Sequence, residues 1–200
     1  MLLTVSPDWR VVAFTGAVAI GTYTIKNFNE KANGIQTMTQ VLEHSLNTGT
    51  IFAQRKTGDD KFLNYVVGFG FGQKTGIDLA GEASGNISNL YHGRAINFAT
   101  ASFGQGIAVT PLQLINAYAA IANGGRLMKP HIIANTKPVV LGSAITERTA
   151  AQLKTMLVNV VDRGFDKARI KGYDVAGKPG PAQIPNKDGG YLEAKQFIHN

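Results

Sequence analysis

The sequence predicts a mixed α and β chain, on three observations. Apolar residues recur at helical spacing in several separated segments, β-type runs broken by turn residues fill positions 11–34, and a proline-stiffened extended stretch lies near the end. The composition agrees: 200 residues with 44% hydrophobic side chains can form a core, and 23 glycines imply many turns.

Residues 11–34 read as short β pieces and turns: VVAF, then GTYTIKNF, then the turn-rich NEKANG. A helix follows with Met38, Val41, Leu42 and Leu46 on one face, and Asn47-Thr-Gly49 supplies its stop signal. A second helix is expected over Ile51–Lys56. A third starts near Asp59 or Asp60, with Phe62, Val66 and Phe69 on its stripe. Residues 68–86 are glycine-rich and loop-like. Thr110-Pro111 is the clearest helix start, because threonine caps and proline lacks only an N–H that would be unpaired anyway. The helix it opens, LQLINAYAAIAN, is apolar on most faces and is expected to be buried, ending at Gly124-Gly125. RLMKPHII reads as strand and turn. Thr146 caps a further helix whose stripe is Leu153, Met156, Leu157, Val160 and Val161, closed by Gly164. The segment YDVAGKPGPAQIP is extended and suited to a sheet edge.

Several chemistries are excluded by composition. There is no cysteine, and the four histidines (His44, His92, His131, His199) fall in no metal-binding spacing, so neither a metal nor another cofactor is expected. The net charge of +7 is concentrated in residues 126–200, with 12 basic and 6 acidic side chains, which suits an anionic partner or a solvated face. No aromatic-interleaved basic stripe or RNA-binding motif accompanies it, so nucleic acid is not expected. No apolar stretch is long enough to span a bilayer, and the start lacks the basic region of a secretory signal.

Three short motifs bear on function. Gly68-Phe-Gly-Phe-Gly-Gln-Lys74-Thr75 nearly spells a phosphate-binding loop, but Gln73 stands where the second glycine belongs and no helix follows, so a nucleotide is not expected. Ser45-Leu46-Asn47 is an SxN triplet, which alone could be helix capping. Lys178-Pro179-Gly180-Pro181 alone could be a stiffened turn.

Read in order, TMTQVLEHSLNTG, FGFGQKTGIDLAGEASG, NFATASFGQGIAVTPLQLINAYAAIANGGRLMKPHI and VAGKPGPAQIP closely resemble the transpeptidase domain of penicillin-binding proteins, of the class B type. The resemblance runs from about Gly21 to the end and is most specific over residues 97–132. It implies a partial β-lactamase/transpeptidase-like fold: a helical lobe plus part of an antiparallel sheet. It also implies acyl transfer on peptidoglycan stem peptides ending in D-Ala-D-Ala, with β-lactams as mimics of that dipeptide. Three motifs serve that site in the family: SxxK, SxN and KTG. Ser45 and Asn47 match SxN, while Lys178 and Gly180 match the ends of KTG. The resemblance thus makes Ser45 a proton relay, Asn47 an amide partner of the bound peptide and Lys178 a cation for its carboxylate. By its place in the order, the triplet Lys74-Thr75-Gly76 is not the family's KTG.

Two departures bear on activity. No serine of the sequence is followed three residues later by lysine, so the nucleophile and its base are absent. Pro179 replaces the hydroxyl-bearing threonine, and Pro181 has no N–H to offer an oxyanion hole, a loss typically costing ~10²–10³ in rate. The expectation is an incomplete transpeptidase domain over 1–200, lacking the SxxK region and the C-terminal strands and inactive alone. The alternative is a non-catalytic cell-wall-binding or interaction module on the same scaffold. The family works at the extracytoplasmic face of the membrane, where cell-wall synthesis proteins are possible partners, although this sequence shows neither signal nor anchor.

Overall fold

The computed structural model describes residues 10–13, 16–28, 30–183 and 197–199. The described residues up to Thr37 alternate short strands and turns, as the local sequence requires. Strand β1 (Arg10–Ala13) pairs antiparallel with β4 (Gly34–Thr37), and β2 (Ala17–Ile20) with β3 (Tyr23–Lys26). Later, β5 (Arg126–Met128) pairs with β6 (Val140–Ser143), and β7 (Pro181–Gln183) with β8 (Phe197–His199). The expected part of an antiparallel sheet is therefore four separate two-stranded ribbons among the described residues. Phe14 and the Ile184–Pro185 end of the extended segment lie outside the described residues.

Between the ribbons lies the helical part, three of whose helices open on local capping signals. Thr37 opens α1 (Met38–Glu43) through a reciprocal capping box with Gln40, and Thr110 opens α6 (Pro111–Ala122) the same way with Gln113. Thr146 caps α7 (Glu147–Asn159), accepting from the Thr149 amide at 3.2 Å. The intervening helices are α2 (Asn47–Thr57), α3 (Asp59–Gly68), α4 (Ser88–Tyr91) and α5 (Ala95–Ala101). Past Asn159 the chain winds into a π-helical turn over Val160–Gly164, so Gly164 ends a looser extension rather than α7 itself.

Two clusters carry most of the core. Met38, Val41, Leu46 and Ala53 pack with Ile145, Ala150, Leu153 and Met156, joining α1 and α2 to α7. Phe62, Ile87, Leu90, Phe98 and Ala101 form the second, where the Phe62 and Phe98 rings meet edge-on at 6.2 Å.

Two expectations are corrected. Asn47-Thr48-Gly49 does not stop the first helix; it is the first turn of α2. Gly49 is there for packing, since a Cβ on it would sit 2.5 Å from the Val41 side chain. The helix after Thr110 is not buried on most faces. It turns Gln113, Asn116, Ala117 and Ala120 inward and leaves Leu114, Ile115 and Tyr118 exposed. Gln113 faces in because its amide has work there, donating to the carbonyls of Gln73 at 2.6 Å and Ser84 at 2.7 Å.

Candidate active site

The site is assembled from the turn between α1 and α2 and from the segment 175–180 laid beside α7. The turn is tight: the amides of Ser45 and Leu46 donate to the carbonyls of Leu42 and Val41. Ser45 takes a left-handed conformation, φ +53°, which a non-glycine residue adopts only when its surroundings hold it there. Leu46, next in line, is buried in the core and anchors the turn. The SxN triplet therefore spans a helix–helix junction rather than a helix end.

Segment 175–180 is tied down one residue before its lysine. The Gly177 amide donates to the Leu157 carbonyl of α7 at 3.2 Å. The π-helical turn beyond α7 in turn lies against α1, where a Cβ on Gly164 would come 2.6 Å from the Glu43 carbonyl oxygen. α7 thus sets the spacing between the turn and the lysine segment.

Lys178 and Ser45 meet across 133 positions of sequence: Lys178 Nζ donates to Ser45 Oγ at 2.9 Å. The same ammonium donates to the Pro179 carbonyl at 2.7 Å. Burial holds the Lys178 ammonium below the ordinary lysine value, because a low-dielectric surrounding disfavours the charged form. Asn47 opens α2 and donates through Nδ2 to the Lys26 carbonyl at 2.9 Å. Gly180 is exposed beside Pro179, and strand β7 starts at Pro181, so Lys178–Gly180 precede the strand rather than lie within it. Such an arrangement can relay a proton between a hydroxyl and an ammonium and can present a cation to an anionic ligand.

Two further features were not legible in the sequence. Asn27, in the turn after β3, accepts from the Thr48 amide at 3.0 Å and from its hydroxyl at 3.1 Å. An acceptor 21 positions away leaves no local signature. The second feature is the use made of the near phosphate loop. Glu82 accepts from the Thr75 amide and hydroxyl, each at 2.6 Å, and from the Gly76 amide at 3.1 Å. The amides an anion would need there are spent on a carboxylate of the chain itself.

Clefts of about 360 and 450 Å³ lie elsewhere, one along Asp162–Val175 and the other between the Lys74–Gly76 loop and the β5–β6 ribbon. Neither is lined by Ser45, Asn47 or Lys178. Among the described residues no three His, Cys, Asp or Glu side chains gather as a metal set, and no helix is long and apolar enough to cross a membrane.

Residues 5–199 match the family described as "Penicillin binding protein transpeptidase domain". The chain is 37% identical over 179 residues to stage V sporulation protein D of Bacillus subtilis, covering 83% of this chain and 28% of that protein. It is 33% identical over 159 residues to the peptidoglycan D,D-transpeptidase FtsI of Escherichia coli, covering 78% of this chain and 27% of that protein. The chain thus spans under a third of the length of these curated relatives. In three dimensions it is similar to penicillin-binding protein 3 of Mycobacterium tuberculosis, a structure complexed with ampicillin. That match has a TM-score of 0.81 and 29% identity, covering 94% of this chain and 46% of that one. By sequence and by fold, the chain belongs to the penicillin-binding protein transpeptidase domain family.

Proposed function

We propose that these residues form the substrate-holding part of a D,D-transpeptidase site, recognising peptidoglycan stem peptides that end in D-Ala-D-Ala. The observation that carries the reading is the Lys178–Ser45 hydrogen bond, 2.9 Å between two motif residues 133 positions apart. A cation on segment 175–180, next to a hydroxyl on the α1–α2 turn, suits a peptide with a terminal carboxylate and a departing amine. Asn47 supplies the amide that pairs with the peptide backbone, and Gly180 allows close approach beside Lys178. β-Lactams, as mimics of the dipeptide, occupy the same groups.

The nucleophile is not among these residues, since no serine in the sequence has lysine three places on. Acyl transfer therefore needs a Ser-x-x-Lys pair from outside them. Pro179 and Pro181 weaken the carboxylate and oxyanion contacts that a hydroxyl and an N–H would make at those positions. The reading places the site on the extracytoplasmic side of the membrane, among cell-wall synthesis proteins.

Calorimetric titration with a pentapeptide ending in D-Ala-D-Ala tests binding, and a fluorescent penicillin followed by a denaturing gel tests acylation. The expected result is saturable peptide binding without a boil-stable fluorescent band. Absence of binding to the folded chain, or a covalent band, overturns the proposal.

A further inference from the structure

Three helices of this chain are capped locally by a threonine side chain, but α2 is not. α1, α6 and α7 each use the threonine at the cap position. The corresponding residue of α2 is Leu46, which offers no side-chain oxygen and is buried in the core instead. Ser45 and Asn47 flank it, and serine or asparagine is what a cap position favours. Both have other partners: Ser45 Oγ accepts from Lys178, and Asn47 Nδ2 donates to the Lys26 carbonyl. The helix start still has N–H groups to satisfy.

Asn27 meets that need. Its Oδ1 accepts from the Thr48 amide and hydroxyl at 3.0 and 3.1 Å, as a cap residue's oxygen would. It is 2% exposed, and the rest of its polar atoms are also engaged. Nδ2 donates to the Lys31 carbonyl at 3.4 Å, the amide donates to the Gly16 carbonyl at 2.9 Å, and the carbonyl accepts from the Glu30 amide at 2.9 Å. The dipeptide Lys26–Asn27 therefore grips the first turn of α2 twice, once through a backbone oxygen and once through a side chain.

We infer that Asn27 is a positioning residue for the SxN triplet: by capping α2 from 21 positions away, it frees Ser45 and Asn47 to face substrate and fixes where they stand. The Lys26 carbonyl, held beside it, orients the Asn47 amide plane and so the acceptor oxygen on its other arm. A fully satisfied buried network of this kind defines one geometry, whereas a partial one does not. The inference rests on the reading of Ser45 and Asn47 as substrate groups.

The test compares Asn27→Ala with Thr110→Ala, which removes a cap at α6 and so matches the loss of stability without touching the triplet. Hydrogen exchange at Thr48, the NMR signals of the Asn47 side-chain amide and affinity for the D-Ala-D-Ala pentapeptide are measured on the 200-residue chain. Asn27→Ala is expected to speed Thr48 exchange about fivefold or more beyond any global change, to shift the Asn47 amide signals and to weaken peptide binding by a similar factor. Asn27→Asp, whose carboxylate still accepts at a helix start, should restore Thr48 protection. Thr110→Ala should lower the melting temperature and leave the Asn47 signals and the affinity alone. If Asn27→Ala does not fold, Thr48→Val, which keeps the amide donor and deletes the hydroxyl, is expected to give the same shifts at reduced size. Unchanged Asn47 signals in a folded Asn27 variant, or equal loss of affinity in Thr110→Ala, overturn the inference. Failure of the unsubstituted chain to bind peptide counts against the functional reading instead, and the Thr48 and Asn47 signals still decide this one.

Discussion

Two lysine triplets in this chain nearly trade places between spelling and use. Lys74-Thr75-Gly76 matches the three letters of a transpeptidase motif, yet its Thr75 and Gly76 donors are closed onto Glu82. Lys178-Pro179-Gly180 departs at its middle letter, yet its ammonium reaches Ser45. The first is a stapled turn, and the second is the one we propose as part of a site. A motif acquires chemistry from what the fold sets opposite it, and here α7 and the α1–α2 turn decide which lysine that is.

The electrostatics separate the two regions in the same direction. The Thr75 hydroxyl above all, with the Thr75 and Gly76 amides and the nearby Lys74 charge, holds the Glu82 carboxyl below the ordinary carboxylate value against the opposing effect of its burial. The ammonium of Lys178 is held below its ordinary value by burial, which disfavours the charged form. One region uses a charge to stabilise a loop; the other keeps a charge at a cost in stability, which the proposed site would explain.

The sharpest way to break this comparison is to remove each lysine. Lys178→Met is expected to weaken D-Ala-D-Ala pentapeptide binding about tenfold or more, the scale of a lost charge-assisted contact. Lys74→Met should leave that affinity unchanged, and equal losses in calorimetric titrations would erase the distinction.

Next in size is the staple. Glu82→Ala should destabilise the chain by about 1–2 kcal/mol through three lost hydrogen bonds to a carboxylate, read by urea denaturation. Peptide affinity should not follow. A drop in affinity at unchanged stability would mean that the Lys74 loop belongs to the site.

The smallest effects are the opposed pH dependences. Glu82 binds protons less readily folded than unfolded, so its contribution is present above the ordinary carboxylate value and is lost as pH falls through the lowered one. Lys178 also binds its proton less readily folded than unfolded. Its cost is therefore full below the lowered value and is relieved as pH rises from there toward the ordinary lysine value. The melting temperature of the unsubstituted chain relative to Lys178→Met should thus improve as pH rises toward about pH 10. Relative to Glu82→Gln it should worsen on acidification below about pH 4.

How much of this was legible in the sequence depended on the range of the interactions involved. The starts at Thr110-Pro111 and Thr146 read correctly because a cap bonds to amides two or three residues on. The start of α2 was misread as a stop because its cap is Asn27, and because Gly49 looks like a terminator until Val41 is seen packed on it. The inward turn of Gln113 and the outward turn of Ile115 defied the apolar character of their helix for a related reason. The carbonyls of Gln73 and Ser84 that hold Gln113 come from a distant loop. Ser45, Asn47 and Lys178 were legible as a set only through the order of the surrounding segments; nothing local in Lys178-Pro179-Gly180 announces the contact with Ser45.

The central claim is that Lys178 and the SxN triplet, and not the Lys74 triplet, meet the peptide. The most direct measurement is chemical-shift mapping of the isotope-labelled chain during titration with a pentapeptide ending in D-Ala-D-Ala. Perturbations centred on Ser45–Thr48 and Gly177–Gly180, with Lys74–Gly76 silent, are the predicted result. Perturbations centred on Lys74–Gly76, or a saturable titration that leaves Ser45 and Lys178 unmoved, would contradict it.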